Sequence, residues 1–247
     1  MKKKVLLICM TIIFFVLFIY SLTNIIIWYF DNKHTESIVN ELIEGSIEIE
    51  KKENTETKEE TTTQTINFDY LTNKNKDTVG WIKVNNTNIN YPFVQAKDNK
   101  YYLKHSFDKK YTDAGWVFLD YRNNINELDK NTIIYAHARK DKSMFGTLKN
   151  TLKKNWYNNK SNHIITLTTK TKELKFQVFS TYHVETEDYY ITTKFKNDEE
   201  YIKFLNTIKK RSIHNYNVSL NKDDYVLTLS SCFNEKEKVV LHAKLIN

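Results

Sequence analysis

Two side chains in this 247-residue chain have the types that nucleophilic catalysis needs, and each stands at the end of an apolar, strand-like run. Cys232 closes the run 225–231 in the stretch Leu229-Ser230-Ser231-Cys232, and His137 closes Ile133-Ile134-Tyr135-Ala136-His137. A thiolate attacks acyl carbonyls, and an imidazole gives or takes a proton near neutral pH. A thiol and a histidine at two strand mouths are therefore the parts of a cysteine nucleophile. By spacing alone, His137 reads equally well as a surface histidine.

A third group follows from chain connectivity. Residues 225–232 run up, 233–237 turn, and 238–246 return, so a turn that short sets Lys238 nearly opposite Cys232. A cation there lowers the thiol pKa and supports negative charge on a substrate oxygen; the plainer reading is a turn lysine in solvent. His242 lies four residues down the returning strand, roughly 13 Å from the thiol level, and reads as structural. His34, His105, His163, His183 and His214 show no metal-ligand spacing with one another or with cysteine. With four glycines and no phosphate loop there is little from which to build a nucleotide cradle, so neither a metal nor an organic cofactor is expected.

These groups must be carried by an exported domain. Lys2, Lys3 and Lys4 form a basic segment (1–4) ahead of residues 5–30, which hold no charge and exceed the ~20 residues that cross a bilayer as a helix. The run ends in Ile27-Trp28-Tyr29-Phe30 with no small-residue cleavage site, which favours an uncleaved single-pass anchor over a signal peptide. The positive-inside rule then leaves the N-terminus cytoplasmic and everything after Asp31 outside. Cys9 lies within the span and reads as apolar filler. It cannot pair with Cys232, so the exported part has no disulfide framework. Three of the seven net positive charges are the N-terminal lysines and the rest are scattered among acids, which argues for a solvated surface and against nucleic acid.

Residues 31–65 read as an extracellular stalk. An amphipathic helix over 35–49 places Ile38, Leu42 and Ile43 near one face. Residues 50–65 contain no aliphatic or aromatic side chain and should stay flexible. From 66 to 247 the pattern is mainly β, with eight strand-like runs at 80–84, 89–94, 116–121, 132–137, 163–168, 174–184, 225–231 and 239–246. Helices are expected at 68–71, 145–152 and 198–208, the last capped by Asn197 or Asp198. Eight short strands in one domain imply a β-barrel or sandwich.

Read in order, Thr78-Val79-Gly80-Trp81-Ile82, Ile89-Asn90-Tyr91-Pro92, Asp98-Asn99-Lys100-Tyr101-Tyr102-Leu103, Phe118-Leu119-Asp120-Tyr121-Arg122-Asn123, Tyr135-Ala136-His137 with Ser143-Met144-Phe145-Gly146, and Leu227-Thr228-Leu229-Ser230-Ser231-Cys232 make residues 66–247 resemble a class B sortase. These are membrane-anchored cysteine transpeptidases of Gram-positive envelopes. The resemblance implies an eight-stranded sortase-type β-barrel with a few peripheral helices. It also implies that Cys232 attacks the Thr carbonyl of an Asn-Pro-x-Thr-like signal on a secreted protein, that His137 protonates the leaving amine, and that a peptidoglycan-precursor amine takes the acyl group. By the same resemblance Asn99, Leu103, Tyr190 and Ile191 should contact the signal, with Ser230 and Ser231 beside them.

Two positions depart from the family. Ser231 stands where threonine is usual before the cysteine, and Lys238 stands where an arginine is expected, which keeps the charge but loses the planar fork. Of the three arginines, Arg122 belongs to another family motif and Arg211 follows a surface helix. Arg139, two residues past His137, is the alternative to Lys238 as oxyanion support. Rival readings are a pilus-building sortase whose acceptor is a pilin lysine, a plain cysteine protease, and a catalytically weak, membrane-tethered binding module.

Overall fold

The long apolar run dictates the first element. In this computed structural model, which describes residues 2–53, 60–185, 187–232 and 237–247, it forms α1 (Lys2–Ser46), a helix of 45 residues. Among the described residues α1 alone is long and apolar enough to cross a membrane, and its residues 5–30 are exposed throughout. The helix does not stop at Phe30. Thr35, Ile38, Leu42 and Ser46 repeat at helical spacing and are buried against the rest of the protein, so residues 31–46 continue α1 as a docked extension.

The expected amphipathic helix thus exists but ends at Ser46, three residues early. Ile47 and Ile49 fall instead in β1 (Ile47–Glu53), which pairs antiparallel with β2 (Glu60–Ile66). The reading of residues 50–65 as wholly flexible is corrected for 50–53 and 60–65. Their backbone polar groups pair with each other, which needs no apolar side chains; the remaining residues of that stretch, 54–59, lie outside the described residues.

After α2 (Phe68–Lys74), capped by the Asn67 side chain, the chain builds β3 (Thr78–Val84), β4 (Asn90–Val94), β5 (Phe118–Leu119), β6 (Asn131–His137), β7 (Ile164–Thr168), β8 (Glu173–Glu185), β9 (Val226–Cys232) and β10 (Glu237–Leu245). These eight strands close into a barrel in the order β10-β8-β7-β3-β4-β5-β6-β9. The pairs β4–β5 and β6–β9 are parallel and the others antiparallel. Two expectations change in extent. The run at 116–121 shortens to the strand Phe118–Leu119, flanked by single bonds from Val94 N–H to Val117 O and from Asp120 N–H to Ile133 O, while Trp116 N–H turns to the Tyr102 carbonyl. The helix expected at 145–152 shrinks to a 3₁₀ turn over Leu148–Leu152, since Gly146 N–H closes a tight turn onto Ser143 O. Outside the barrel lie a short α3 (Lys154–Asn158) and α4 (Asp198–Lys210), the latter capped by Asn197 and burying Tyr201, Phe204, Leu205 and Ile208.

One buried polar network crosses the barrel wall. Tyr189 donates to Tyr182 at 2.9 Å, and Tyr182 to His242 Nε2 at 2.8 Å. His242 Nδ1 lies 2.8 Å from Thr228 Oγ1, whose proton goes to Asn131 Oδ1 at 2.6 Å, so His242 must donate from Nδ1. Asn131 Nδ2 then caps the carbonyls of Tyr190 and Thr192 at 3.0 and 2.9 Å. Every partner is used, which is what keeps such a network affordable in the interior. Burial pushes the His242 pKa down to about 3, so the ring is neutral when folded.

Two outcomes follow. Asn131→Ala orphans two carbonyls and a hydroxyl and should cost about 1–3 kcal/mol in chemical denaturation. Unfolded, His242 titrates near its ordinary value of about 6.5, so below that pH the unfolded chain binds the extra proton and stability falls as pH drops toward 3. Denaturation of the parent and of His242→Gln at pH 7, 5.5 and 4.5 should show a shallower acid decline in the variant.

Candidate active site

The chemistry-bearing residues converge where β6, β9 and β10 lie side by side. In the parallel β6–β9 pair His137 is opposite Cys232, and in the antiparallel β9–β10 pair Lys238 is opposite Cys232. Adjacent strands run roughly 5 Å apart, so the three backbones stand at one level across three strands. Position 232 ends β9, two residues beyond Ser230.

At this level opens a cleft of about 250 Å³ lined by Asn99, Leu103, Phe118, Tyr135, Ala136, His137, Ile191, Ser230 and Lys238. Six residues expected from sequence are therefore in its wall. Tyr190 is not; it is buried behind, with its hydroxyl 3.0 Å from Ser230 Oγ. Ser231 is buried, and its hydroxyl has no partner among the described residues. Arg139 is also elsewhere: Nη1 lies 3.5 Å from Asp31 Oδ2, Nη2 bonds Asn32, and Nε lies 3.2 Å from Asp141. Its guanidinium is committed to α1 and its own loop, whereas Lys238 faces the cleft.

His137 is oriented by a backbone group. Its Nε2 lies 2.8 Å from the Leu103 carbonyl, which can only accept, so a neutral ring carries its proton on Nε2 and its lone pair on Nδ1. Gly115, at φ +58°, lets the chain pass this clamp: a Cβ there would stand 2.6 Å from Tyr102 O, 2.9 Å from Leu103 O and 3.1 Å from His137 Cδ2. Sequence reasoning passed over Gly115, although one of only four glycines signals a backbone need.

The cleft walls are joined by Asp120, which was noted only as part of a motif. Its buried carboxylate accepts from Asn99 Nδ2 at 2.9 Å, Tyr135 OH at 2.9 Å and Arg122 Nε and Nη2 at 2.8 and 2.7 Å. Arg122 Nη2 also donates to Ile191 O at 2.9 Å, tying the opposite wall to the same hub. Burial opposes ionisation of Asp120, but Arg122, Asn99 and Tyr135 together hold its carboxyl below the usual carboxylate range. Asn99 is further fixed by Tyr121 N–H on its Oδ1 at 3.0 Å, so its amide presents one defined face. Among the described residues no three His, Cys, Asp or Glu side chains converge as metal ligands.

The chain is similar to known proteins in sequence and in fold. The sortase domain family model matches residues 82–246. Over 183 residues the chain is 39% identical to sortase B of Staphylococcus aureus, covering 72% of this chain and 74% of that protein. The structure of sortase B from Bacillus anthracis in complex with AAEK1 is similar with a TM-score of 0.75 at 33% identity, covering 89% of this chain and 99% of that one. A Staphylococcus aureus sortase B-substrate complex is similar with a TM-score of 0.68 at 38% identity, covering 73% and 84%.

The clamp on His137 is directly measurable. Long-range ¹⁵N–¹H spectra of the neutral ring should show the Nε2–H tautomer. Gly115→Ala, which displaces the Leu103 carbonyl, should shift that signature and lower turnover by about 10²-fold while the fold melts cooperatively.

Proposed function

Because the chain belongs to the sortase family, among the sortase B enzymes, we propose that it is a cysteine transpeptidase that cuts an Asn-Pro-x-Thr-like sorting signal after its threonine and passes the protein to a cell-wall peptidoglycan amine. The observation that carries this reading is the alignment of His137, Cys232 and Lys238 on three neighbouring strands beside the cleft.

In this reading the Cys232 thiolate adds to the threonine carbonyl carbon, and the electron pair of the C=O moves onto oxygen. The Lys238 ammonium opposes that charge as it develops, where a fixed cation contributes most. As the tetrahedral intermediate collapses, the C–N bond breaks, and the His137 imidazolium gives its Nδ1 proton to the departing amine. This leaves a thioester on Cys232 and a neutral ring whose Nδ1 is ready to act as base, while Leu103 O holds Nε2–H. The acceptor amine then attacks the thioester, surrenders a proton to Nδ1, and regenerates thiolate and imidazolium. Asn99, Leu103, Ile191 and Ser230 would seat the signal, with Tyr190 holding the Ser230 hydroxyl from behind. Ser231, buried at the back of the strand, would act on the site only through packing. Residues 5–30 would anchor the enzyme in the membrane with residues 1–4 in the cytoplasm and the barrel outside.

Lys238 is preferred over Arg139 as the oxyanion partner because the Arg139 guanidinium is held by Asp31, Asn32 and Asp141. With the full chain and fluorogenic Asn-Pro-x-Thr peptides, product should depend on added amine and vanish in Cys232→Ala. Lys238→Ala should lose about 10²–10³-fold in kcat, with Arg139→Ala within about tenfold of the parent. Amine-independent hydrolysis would favour a protease, and equal activity of Lys238→Ala would remove lysine from the mechanism.

A further inference from the structure

The first turn of α1 beyond its apolar run is fastened to two loops of the barrel. Asp31 accepts from the Thr112 hydroxyl and pairs with Arg139, Asn32 bonds Arg139, and His34 Nε2 lies 3.2 Å from Asp108 Oδ2. The loops at 104–113 and 138–143 are therefore held at the level of residues 31–34. At 1.5 Å of rise per residue these lie roughly 2–6 Å past Phe30 along the helix axis. A headgroup layer is roughly 5–7 Å thick on each side of the hydrocarbon, so if the span ends at Phe30 both loops stand at headgroup depth.

Helix α2 and its cap attach further out along α1. Glu41 pairs with Lys74, its carbonyl accepts from Tyr70, and Ser46 O receives Asn67 N–H at 2.8 Å. The two loops are thus the bilayer-facing end of the docked domain. Their surface suits that place: Tyr111 is 70% exposed, an aromatic with no role in the core, and exposed Lys140 and Lys142 enter no ion pair among the described residues. Lys110, its side chain 70% exposed, shares Asp108 with His34, and exposed Lys104 pairs with exposed Asp113. Aromatic and lysine side chains at this depth are what interfacial anchoring uses.

We infer that loops 104–113 and 138–143 rest on anionic lipid headgroups of the leaflet in which α1 ends, so that the cleft beside His137 opens at the membrane surface. The inference depends on the membrane-anchor reading of residues 5–30, and its test separates the two. In the full chain carrying Cys9→Ser and Cys232→Ser, single cysteines at Tyr111, Lys140, Ser219 and Phe18 would receive a quenchable fluorophore. Ser219 is exposed and lies at the opposite end of the β9–β10 hairpin from Lys238. The labelled proteins would be placed in nanodiscs of phosphatidylcholine alone or with about one-third phosphatidylglycerol, carrying nitroxide on the headgroup or on the acyl chain.

The Phe18 label should be quenched by acyl-chain nitroxide in both discs. Labels at 111 and 140 should be quenched by headgroup nitroxide at least about threefold more than the label at 219 in the anionic disc. That excess should shrink in the neutral disc, and in the anionic disc when Lys110→Glu and Lys142→Glu are added to the protein labelled at 111. Loss of quenching at Phe18 would sink the anchor reading itself. Quenching at Phe18 with no excess at 111 and 140 over 219 would overturn the docking, and an excess unchanged by lipid charge would overturn the anionic partner.

Discussion

The parallel pairing of β6 with β9 is the contact on which the rest of the molecule depends. It runs through seven consecutive residue pairs, from Asn131 against Val226 to His137 against Cys232. Most residues of both strands are buried, the polar Asn131, Thr132, Thr228, Ser230 and Ser231 with the apolar ones, as a parallel pair covered on both faces requires. A slip of one residue would exchange the faces of the whole strand and carry His137 away from Cys232. The buried side chains therefore hold the register that sets His137 opposite Cys232. On its other edge β9 holds β10, whose antiparallel register brings Lys238 to the same level and whose far side closes the barrel through β8.

Two buried polar side chains turn this frame into a cleft with defined walls. Asn131 opens β6 and pins the Tyr190 and Thr192 carbonyls, while Asp120 at the end of β5 gathers Asn99, Tyr135 and Arg122 and reaches Ile191 through the arginine. A carboxylate with no exposure is tolerable only when ion-paired and hydrogen-bonded, and Asp120 accepts five such bonds. The segment carrying Ile191 is thereby attached to the barrel at both its backbone and its neighbours. A long connection after β8 becomes a cleft wall by this means.

The continuation of α1 into the domain gives Arg139 its place. The fork of this guanidinium, two residues past the histidine, fits Asp31, Asn32 and Asp141, and that geometry keeps it with α1 and its own loop. The same contacts make the segment after the apolar run part of the domain. The amphipathic face with Ile38 and Leu42 was legible in the sequence, but not that it docks on the domain, because the residues it meets are distant in the chain.

Much of the fold was legible locally. Strand-like runs marked all eight barrel strands, and the expected helices at 68–71 and 198–208 fall within Phe68–Lys74 and Asp198–Lys210, the second with Asn197, one of its two cap candidates, as its cap. The short turn of the last hairpin already set Lys238 across from Cys232, since connectivity over a few residues leaves little choice of register. What the sequence by itself determined was therefore the membrane-length helix, the strand inventory, the thiol and the hairpin cation. Only the tertiary structure decided that His137 stands opposite Cys232 in the β6–β9 register, that Leu103 O sets its tautomer, that Asp120 joins the two walls, and that Arg139 turns to α1. Each of these contacts links residues distant in the chain, and such contacts are chosen by burial and hydrogen-bond satisfaction over the whole barrel, which leave no local periodicity to read.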